Sequence, residues 1–291
     1  MIPKALKEGK LPYEIDNHLN WMTHIPGRPK HCGMDEVSIC FAHSRNCFPT
    51  ETADLTRMYI EGREQAFILA DFIHDNVPGF ENSYLIYTGS LLGVRESRRI
   101  LGEYIFTGMD IAYAAKFDDV VAISKHGFDL HGFEAAGNMK WFKGKLPDGR
   151  DAYIANRAGW GSQLPPEDGL PRVNMKELTP EGQFYYEVPY RSMVPVRLEN
   201  VLAAGRNISS DIPGQSGTRL VMFCMSIGEA AGTAAALSLK ENVTVRKLDV
   251  GKLQRRLVEN GVNIGQGYRR IESLPDSDYS SYYAEFKDSN G

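Results

Sequence analysis

The sequence lacks an excess of either charge: 33 lysines and arginines stand against 37 aspartates and glutamates, for a formal net charge of −4 at pH 7. This balance gives no electrostatic reason to expect a nucleic acid or a membrane surface as a partner. The sequence also lacks an uninterrupted apolar run near the ~20 residues that cross a bilayer, and its first residues have no apolar signal segment. We therefore expect a soluble, cytoplasmic protein.

Cysteine is scarce, with four residues in a chain of 291: Cys32, Cys40, Cys47 and Cys224. So few cysteines in so long a chain exclude a disulfide framework. The first three lie near His24, His31 and His43, which raises the question of a metal site. However, no pair among them has the C-x2-C or H-x3-H spacing of metal ligands. We expect reduced, unligated cysteines and no metal.

Apolar residues are plentiful, at 42% of the chain, and 291 residues suffice for one large domain or two ordinary ones with a real core. A strand is predicted at 37–41, and a helix with Asp54 as its N-cap is predicted to end at Pro78. Thr107 and Asp110 have the spacing of a capping box for a short helix that runs to about residue 116. Long loops with short strands are predicted over 127–182, and a strand over 184–195.

The most regular pattern comes last. Residues 200–205 (NVLAAG) predict a short buried strand that ends at a glycine. A polar, glycine-rich loop is predicted over 206–218, followed by an uninterrupted helix over 219–240. Asp249 then predicts the N-cap of one more helix, which Gly261 ends at its C′ position.

The loop before the long helix has a composition that suits an electron-rich ligand. Gly214–Thr218 has little side-chain bulk, and the helix N-terminus after it carries roughly half a positive charge. The pyrimidine edge of a flavin would suit such a helix end. An ordinary glycine-rich turn between a strand and a helix has the same composition, so the loop alone does not decide. If the loop binds flavin, a bulky β-branched residue at Gly217 should reduce flavin occupancy more than folding.

The long helix has a stripe of small residues. Gly228, Gly232 and Ala236 are four residues apart, and alanines lie between them. Because glycine inside a helix costs about 1 kcal/mol relative to alanine, this stripe predicts very close approach to a sheet or to another helix.

Three segments of the C-terminal region resemble the closing signature of the FAD-dependent oxidoreductases, flavoproteins of the glutathione-reductase and fumarate-reductase type. These segments are NVLAAGR (200–206), SGTRL (216–220) and CMSIGEAAG (224–232). Further segments resemble the same family upstream, in the expected order: DLTRMYIEGR (54–63), GVRESRRI (93–100) and VPYRS (188–192). Together the similar segments cover most of residues 35–260.

The resemblance implies an α/β fold, in which an α+β substrate domain (1–195) precedes the closing strand and helix of a Rossmann-like FAD domain (196–265) and a polar, aromatic tail (266–291). It implies FAD as cofactor. It places Gly205 and Arg206 at the ribityl or phosphate part of FAD, and the backbone N–H groups of 217–220 at the flavin pyrimidine edge. The cofactor-binding residues expected from the resemblance are Gly205, Arg206, Ser216, Gly217, Thr218, Arg219 and Leu220.

Members of this family begin with a strand, a G-x-G-x-x-G turn and a helix that hold the pyrophosphate of FAD. The sequence contains no G-x-G-x-x-G pattern. The enzyme could be split between two chains, the sequence could be a fragment, or the domain could have lost flavin. We expect the split enzyme: a hetero-oligomer in which a separate chain supplies the dinucleotide-binding half. A non-catalytic binding or scaffold subunit on a degenerate flavoprotein fold is the alternative.

Flavin enzymes need groups that orient a small-molecule substrate and accept its proton. Arg95, next to the Gly93 turn, is the first candidate, since an arginine can bind a carboxylate or stabilise a flavin anion. His43 follows a predicted strand, and Tyr190 precedes the closing strand. Each of these residues could instead serve packing or lie on the surface. No motif identifies the substrate.

Overall fold

The computed structural model describes residues 43–131, 138–161, 163–183 and 185–265, together with isolated positions before them (5, 8, 9, 11, 23, 24 and 37–39). The predictions for Cys32, Cys40 and the tail 266–291 lie outside these residues. Strands β1 (Thr23–His24) and β2 (Val37–Ser38) form a short antiparallel pair. Cys47 and Cys224 carry free thiols.

The first long helix, α1, spans Thr52–Asn76. Its N-cap is Glu51, so the prediction of Asp54 as the cap is wrong: Asp54 lies in the first turn, where it accepts the Phe48 N–H at 2.7 Å. The helix ends before Pro78 as predicted, because the residue preceding a proline is pushed out of the helical region. One face buries Leu69, Phe72 and Ile73 in a small core of their own.

The main core lies on a two-stranded antiparallel sheet of β3 (Val120–Ser124) and β9 (Tyr186–Pro189). The predicted strand over 184–195 is thus limited to four residues, because the chain turns into a 3-10 helix at Tyr190–Met193. The core takes residues from both sides of position 195, including Val121, Val188 and Ile227. The division into domains at that position stays a prediction.

Short strands occupy the region predicted as loops with short strands. Strands β4 (Leu130–His131) and β5 (Asn138–Met139) pair antiparallel. Strand β6 (Trp141–Lys145) pairs antiparallel with β7 (Asp151–Ala155), and β8 (Arg172–Asn174) runs parallel to β7. A single-turn helix, α3 (Met175–Leu178), follows β8.

Helix α2 (Gly108–Ala112) begins with the predicted capping box: the Thr107 hydroxyl accepts the Asp110 N–H, and the Asp110 carboxylate accepts the Thr107 N–H. The helix ends four residues earlier than expected. Ala114 adopts a left-handed backbone with φ of 50°, which stops the helical path.

The C-terminal region departs from the sequence prediction in two places. Residues 200–204 belong to no strand of the described chain; Ala203 N–H donates to Met193 O at 2.9 Å, and Asn200 is left-handed with φ of 56°. The segment expected as an open loop contains a helix, α4 (Ile212–Thr218), capped by Asp211. Helix α5 therefore begins at Val221 rather than at residue 219, and it runs to Glu241.

The last helix, α6 (Val250–Glu259), agrees with prediction at both ends. The Asp249 side chain accepts the Lys252 N–H, and Gly261 takes a φ of 87°. The Gly261 N–H donates to Val258 O and the Val262 N–H to Leu257 O, which is the Schellman arrangement.

Helix α5 lies across the core with one face only. Phe223, Ile227, Ala230 and Ala234 are buried in that core. By length and composition alone the helix is also apolar enough to cross a membrane, and only 28% of its most apolar 18-residue window is buried. A single helix of this kind is weak evidence for a membrane span. The absence of a membrane partner stays a prediction.

Candidate functional site

The helical conformation is interrupted between α4 and α5, which leaves the N-terminus of α5 open. Leu220 is the N-cap of α5 and has no side-chain oxygen with which to cap it. The first intrahelical bond is that of the Cys224 N–H to Leu220 O, so the N–H groups of the preceding turn have no acceptor within the helix. Val221 and Met222 are 75% and 80% exposed. The positive end of a 21-residue helix therefore faces outward.

Gly205 and Arg206 lie beside this open turn. Gly205 has a φ of 83°, and a Cβ on it would come 3.9 Å from the Cβ of Cys224. Arg206 donates from Nη1 to the carbonyl oxygen of Val94. Burial raises the pKa of the Cys224 thiol, and this effect exceeds the lowering by the positive charge of Arg206. Three of the predicted cofactor-binding residues, Gly205, Arg206 and Leu220, thus come together at the start of α5.

Ser216, Gly217 and Thr218 have a different setting from the one expected, because they are buried inside α4. A Cβ on Gly217 would lie 2.5 Å from Cδ1 of Ile111, and the Tyr186 hydroxyl donates to Gly217 O at 2.9 Å. The Thr218 hydroxyl donates back to Gly214 O at 3.1 Å. The expectation of an open loop over these residues is wrong, since they form a tightly packed helix. Their role in binding the cofactor stays a prediction.

Asp211 joins the starts of helices α2 and α4. Its Oδ1 accepts the Gly214 N–H at 2.6 Å and the Gly108 N–H at 3.0 Å. Burial raises the pKa of Asp211, and the two N–H donors oppose that shift. This shared cap fixes α4, and with it the position of the residues that α4 carries.

A cluster of charged side chains surrounds Asp129 next to α4. Its Oδ2 lies 3.4 Å from Arg219 Nη2, 3.5 Å from His131 Nε2 and 3.9 Å from Arg95 Nη1. Burial alone would raise the pKa of Asp129, but the hydrogen bond from His131 and the charges of His131, Arg219 and Arg95 outweigh it. The pKa therefore lies well below its usual range. We call these four residues the Asp129 cluster.

Helix α4 positions the Asp129 cluster through hydrogen bonds. The Gln215 side chain is fully buried, and its Nε2 donates to the Arg95 carbonyl at 2.8 Å. The Ser216 hydroxyl accepts the Asp129 N–H at 3.2 Å. Arg219, at the end of α4, also donates to the Asp129 carbonyl at 2.7 Å. Backbone and side-chain bonds therefore hold Arg95, Asp129 and Arg219 in one place.

His43 reaches the same cluster from the other side. Its ring stacks on that of His131 with centroids 5.5 Å apart and an interplanar angle of 25°. Its backbone N–H donates to Gln65 Oε1 at 2.9 Å, so helix α1 positions it. The structure thus brings together His43, Arg95 and Arg219, which the sequence predicts as site residues. It adds Asp129, Gln215 and His131; the first two lack a local sequence signal.

Tyr190 does not belong to this cluster. It is buried in the 3-10 helix after β9, and its hydroxyl donates to Val245 O at 2.9 Å. Burial raises its pKa. Tyr190 lines an open cavity of about 420 Å³ with charged residues that are already paired, such as Arg191 with Asp119 at 2.9 Å. Its hydroxyl therefore stabilises the packing of 245–247, and its role in the chemistry stays a prediction without geometric support.

The family model for FAD dependent oxidoreductases matches residues 7–257. The chain belongs to this family, with an α/β fold and FAD as its cofactor. No curated protein and no solved structure gives a significant match. Among the described residues, no group of three or more histidine, cysteine, aspartate or glutamate side chains could hold a metal ion. The expectation that the whole protein binds no metal stays a prediction.

The residues at the start of α5 fit a flavin. The open turn offers backbone N–H donors to an electron-rich ring edge, and Gly205 leaves the approach to Cys224 free of side-chain bulk. Arg219 of the Asp129 cluster lies two residues before the first residue of α5, so its Cα is within about 7 Å of that of Val221. One charged member of the cluster is thus close in the chain to the N–H donors that suit a flavin ring.

Proposed function

We propose that this FAD-dependent oxidoreductase transfers hydride between a small organic substrate and FAD, and that a separate chain completes its FAD site with a dinucleotide-binding half. The open face of α5 is the observation that carries the second part. The exposed stripe comprises Val221, Met225, Gly228, Gly232 and Leu239, among others. Nothing lies within 4 Å of a Cβ placed on Gly228 or Gly232.

A helix with one face in the core and an open apolar stripe on the other favours a partner. Large exposed apolar patches mark interaction sites, and glycines on the stripe allow another backbone to approach closely. The absence of a G-x-G-x-x-G turn supports the same proposal, because this chain carries no pyrophosphate-binding motif of its own. Residues 200–204 also offer backbone that a neighbouring strand could pair.

In the proposed enzyme, the first N–H groups of α5 hold the flavin ring at its electron-rich edge, and Gly205 and Arg206 lie beside the rest of the cofactor. FAD, when bound, supplies the two-electron acceptor. Arg95 and Arg219 attract and orient the substrate, since both are positive. His131, oriented by Asp129 and stacked on His43, has the chemistry to take the proton of a substrate hydroxyl.

Replacing Gly232 by leucine tests the proposed assembly. The change fills the open face of α5, where the isolated chain has room for it and leucine favours the helix more than glycine does. We therefore expect the isolated chain to melt slightly above the native temperature, but to lose the co-purifying partner and the yellow flavin absorbance. Gly62→Leu is the matched control, because Gly62 lies on α1 with equally open space. It should keep both.

Two outcomes would contradict the proposal. A native chain that purifies as a stable, colourless monomer and takes up no FAD, even beside its neighbouring gene product, would support the scaffold alternative. If the flavin absorbance persists in Gly232→Leu and no second polypeptide is present, the FAD site is completed without a separate chain.

A further inference from the structure

Arg95 has a nitrogen that the cluster leaves without a hydrogen bond. Its Nη1 atom is shielded from solvent and has no hydrogen-bond partner among the described residues; the nearest carboxylate oxygen, on Asp129, is 3.9 Å away. A buried donor without an acceptor costs free energy, so such groups usually meet a ligand or a water. The Gln215 side chain donates to the Arg95 carbonyl at 2.8 Å, which fixes the backbone from which the Arg95 side chain extends.

The Asp129 cluster has more guanidinium groups than carboxylates. Arg95 and Arg219 both face the single carboxylate of Asp129. Arg99 instead faces the carboxylates of Glu96, at 4.0 Å, and of Asp211. The positive charge within the cluster favours an anionic ligand.

The cluster is open on the side of Arg95. The Arg95 side chain is 40% exposed, whereas that of Arg219 is 10% exposed. An incoming anion therefore meets the solvent-facing edge of the Arg95 guanidinium first. The shielded Nη1 lies on the inner side of that guanidinium, and Arg219 is the more buried of the two arginines. The planar fork of arginine matches the two oxygens of a carboxylate.

From these observations we propose that Arg95 binds a carboxylate group of the substrate, with Arg219 behind it, and that the enzyme therefore acts on small organic acids. This inference rests on the proposed function, because it names the substrate class of the same site. In this proposal Arg95 selects substrates that carry a carboxylate. Asp129 orients His131, and His131 accepts the proton of the substrate hydroxyl.

The test is a binding titration on the full-length protein at constant ionic strength, with sodium lactate, its neutral analogue lactamide and inorganic phosphate as probes. The imidazole proton signals of His43 and His131 report binding. We expect lactate to shift these signals and lactamide to leave them unchanged. Arg95→Gln should weaken lactate binding about tenfold or more, the loss typical of a hydrogen bond to a charged group. Arg95→Lys should weaken it less.

Arg98→Gln is the matched control, since Arg98 is an exposed arginine of the same segment and the change in charge is identical. It should leave lactate binding within twofold of the native value. Equal losses in Arg95→Gln and Arg98→Gln, tighter binding of phosphate than of lactate, or no response to lactate would each overturn the proposal. If Arg95→Gln does not fold, Arg95→Lys decides in its place.

Flavin absorbance in the same samples separates this inference from the proposed function. Lactate binding that depends on Arg95 in a protein without flavin would keep the carboxylate site and remove the hydride-transfer role. A flavin-loaded protein that ignores carboxylates would do the reverse.

Discussion

Helices α4 and α5 follow each other directly in the chain and both contain pairs of glycines, yet these glycines lie in opposite surroundings. In α4, a Cβ on Gly214 would come 2.5 Å from the carbonyl oxygen of Phe106, and one on Gly217 would come 2.5 Å from Ile111. In α5, nothing lies within 4 Å of a Cβ on Gly228 or Gly232.

The difference separates what this chain completes by itself from what it leaves open. The glycines of α4 allow other elements of the same chain to approach, and the bonds of Gln215, Ser216 and Arg219 hold the Asp129 cluster. The glycines of α5 leave space that nothing in the described chain fills. Similar composition thus serves packing within the chain in one helix and, in our proposal, assembly with a second chain in the other.

The largest effect is expected at Gly217, inside the tightly packed helix α4. Gly217→Val should lower the free energy of unfolding by about 3 kcal/mol, because the new side chain meets Ile111 and the Tyr186 hydroxyl. Urea denaturation measures the loss. This reverses the expectation from the sequence, in which flavin occupancy falls and folding survives. A stable Gly217→Val chain that has lost flavin would restore the open-loop interpretation.

Asp129→Asn should have the next largest effect, a loss of about 2 kcal/mol at pH 7, because Arg219 keeps its charge while its carboxylate partner is gone. The pKa of Asp129 is lower in the folded chain than its unfolded value near 4, so the stabilisation is present above that pH and is lost as the pH falls below it.

Denaturation at pH 7 and at pH 3.5 checks this prediction. The difference between native protein and Asp129→Asn should shrink at the lower pH. Asp151→Asn removes the same charge from an exposed position and should change stability little at either pH. A difference that is equal at both pH values would mean that the cluster does not depend on the ionised carboxylate.

The smallest effect is expected on the open face. Gly228→Ala should raise the free energy of unfolding of the isolated chain by about 1 kcal/mol, because alanine favours the helix and finds no neighbour to clash with. Thermal denaturation of the isolated chain measures it. A lower melting temperature would show that this face of α5 is already covered.

The sequence predicted well wherever the pattern is local. The Thr107–Asp110 capping box, the end of α1 before Pro78, and both ends of α6 depend on neighbours within a few residues. The family resemblance, carried by the motifs around 200–232, is likewise confirmed.

The sequence predicted poorly wherever a structure depends on residues far apart in the chain. Residues 200–205 have the composition of a strand, but a strand needs a paired neighbour that the described chain does not offer. Gly214–Thr218 looks like a loop because helix propensity is poor there, yet Asp211 caps it and the core packs against it. In the same way, no periodicity could place Asp129 beside Arg219, ninety residues further along the chain.

In our proposal the open N-terminus of α5 binds the flavin, and the FAD affinity of Leu220→Asp in the assembled protein measures this binding directly. An aspartate at the N-cap position would occupy the free N–H groups and add a negative charge where the electron-rich ring is expected. Glu51→Asp, at the uncapped start of α1, is the control. We predict that Leu220→Asp weakens FAD binding about fivefold without lowering the melting temperature. Unchanged FAD affinity in Leu220→Asp would contradict the account.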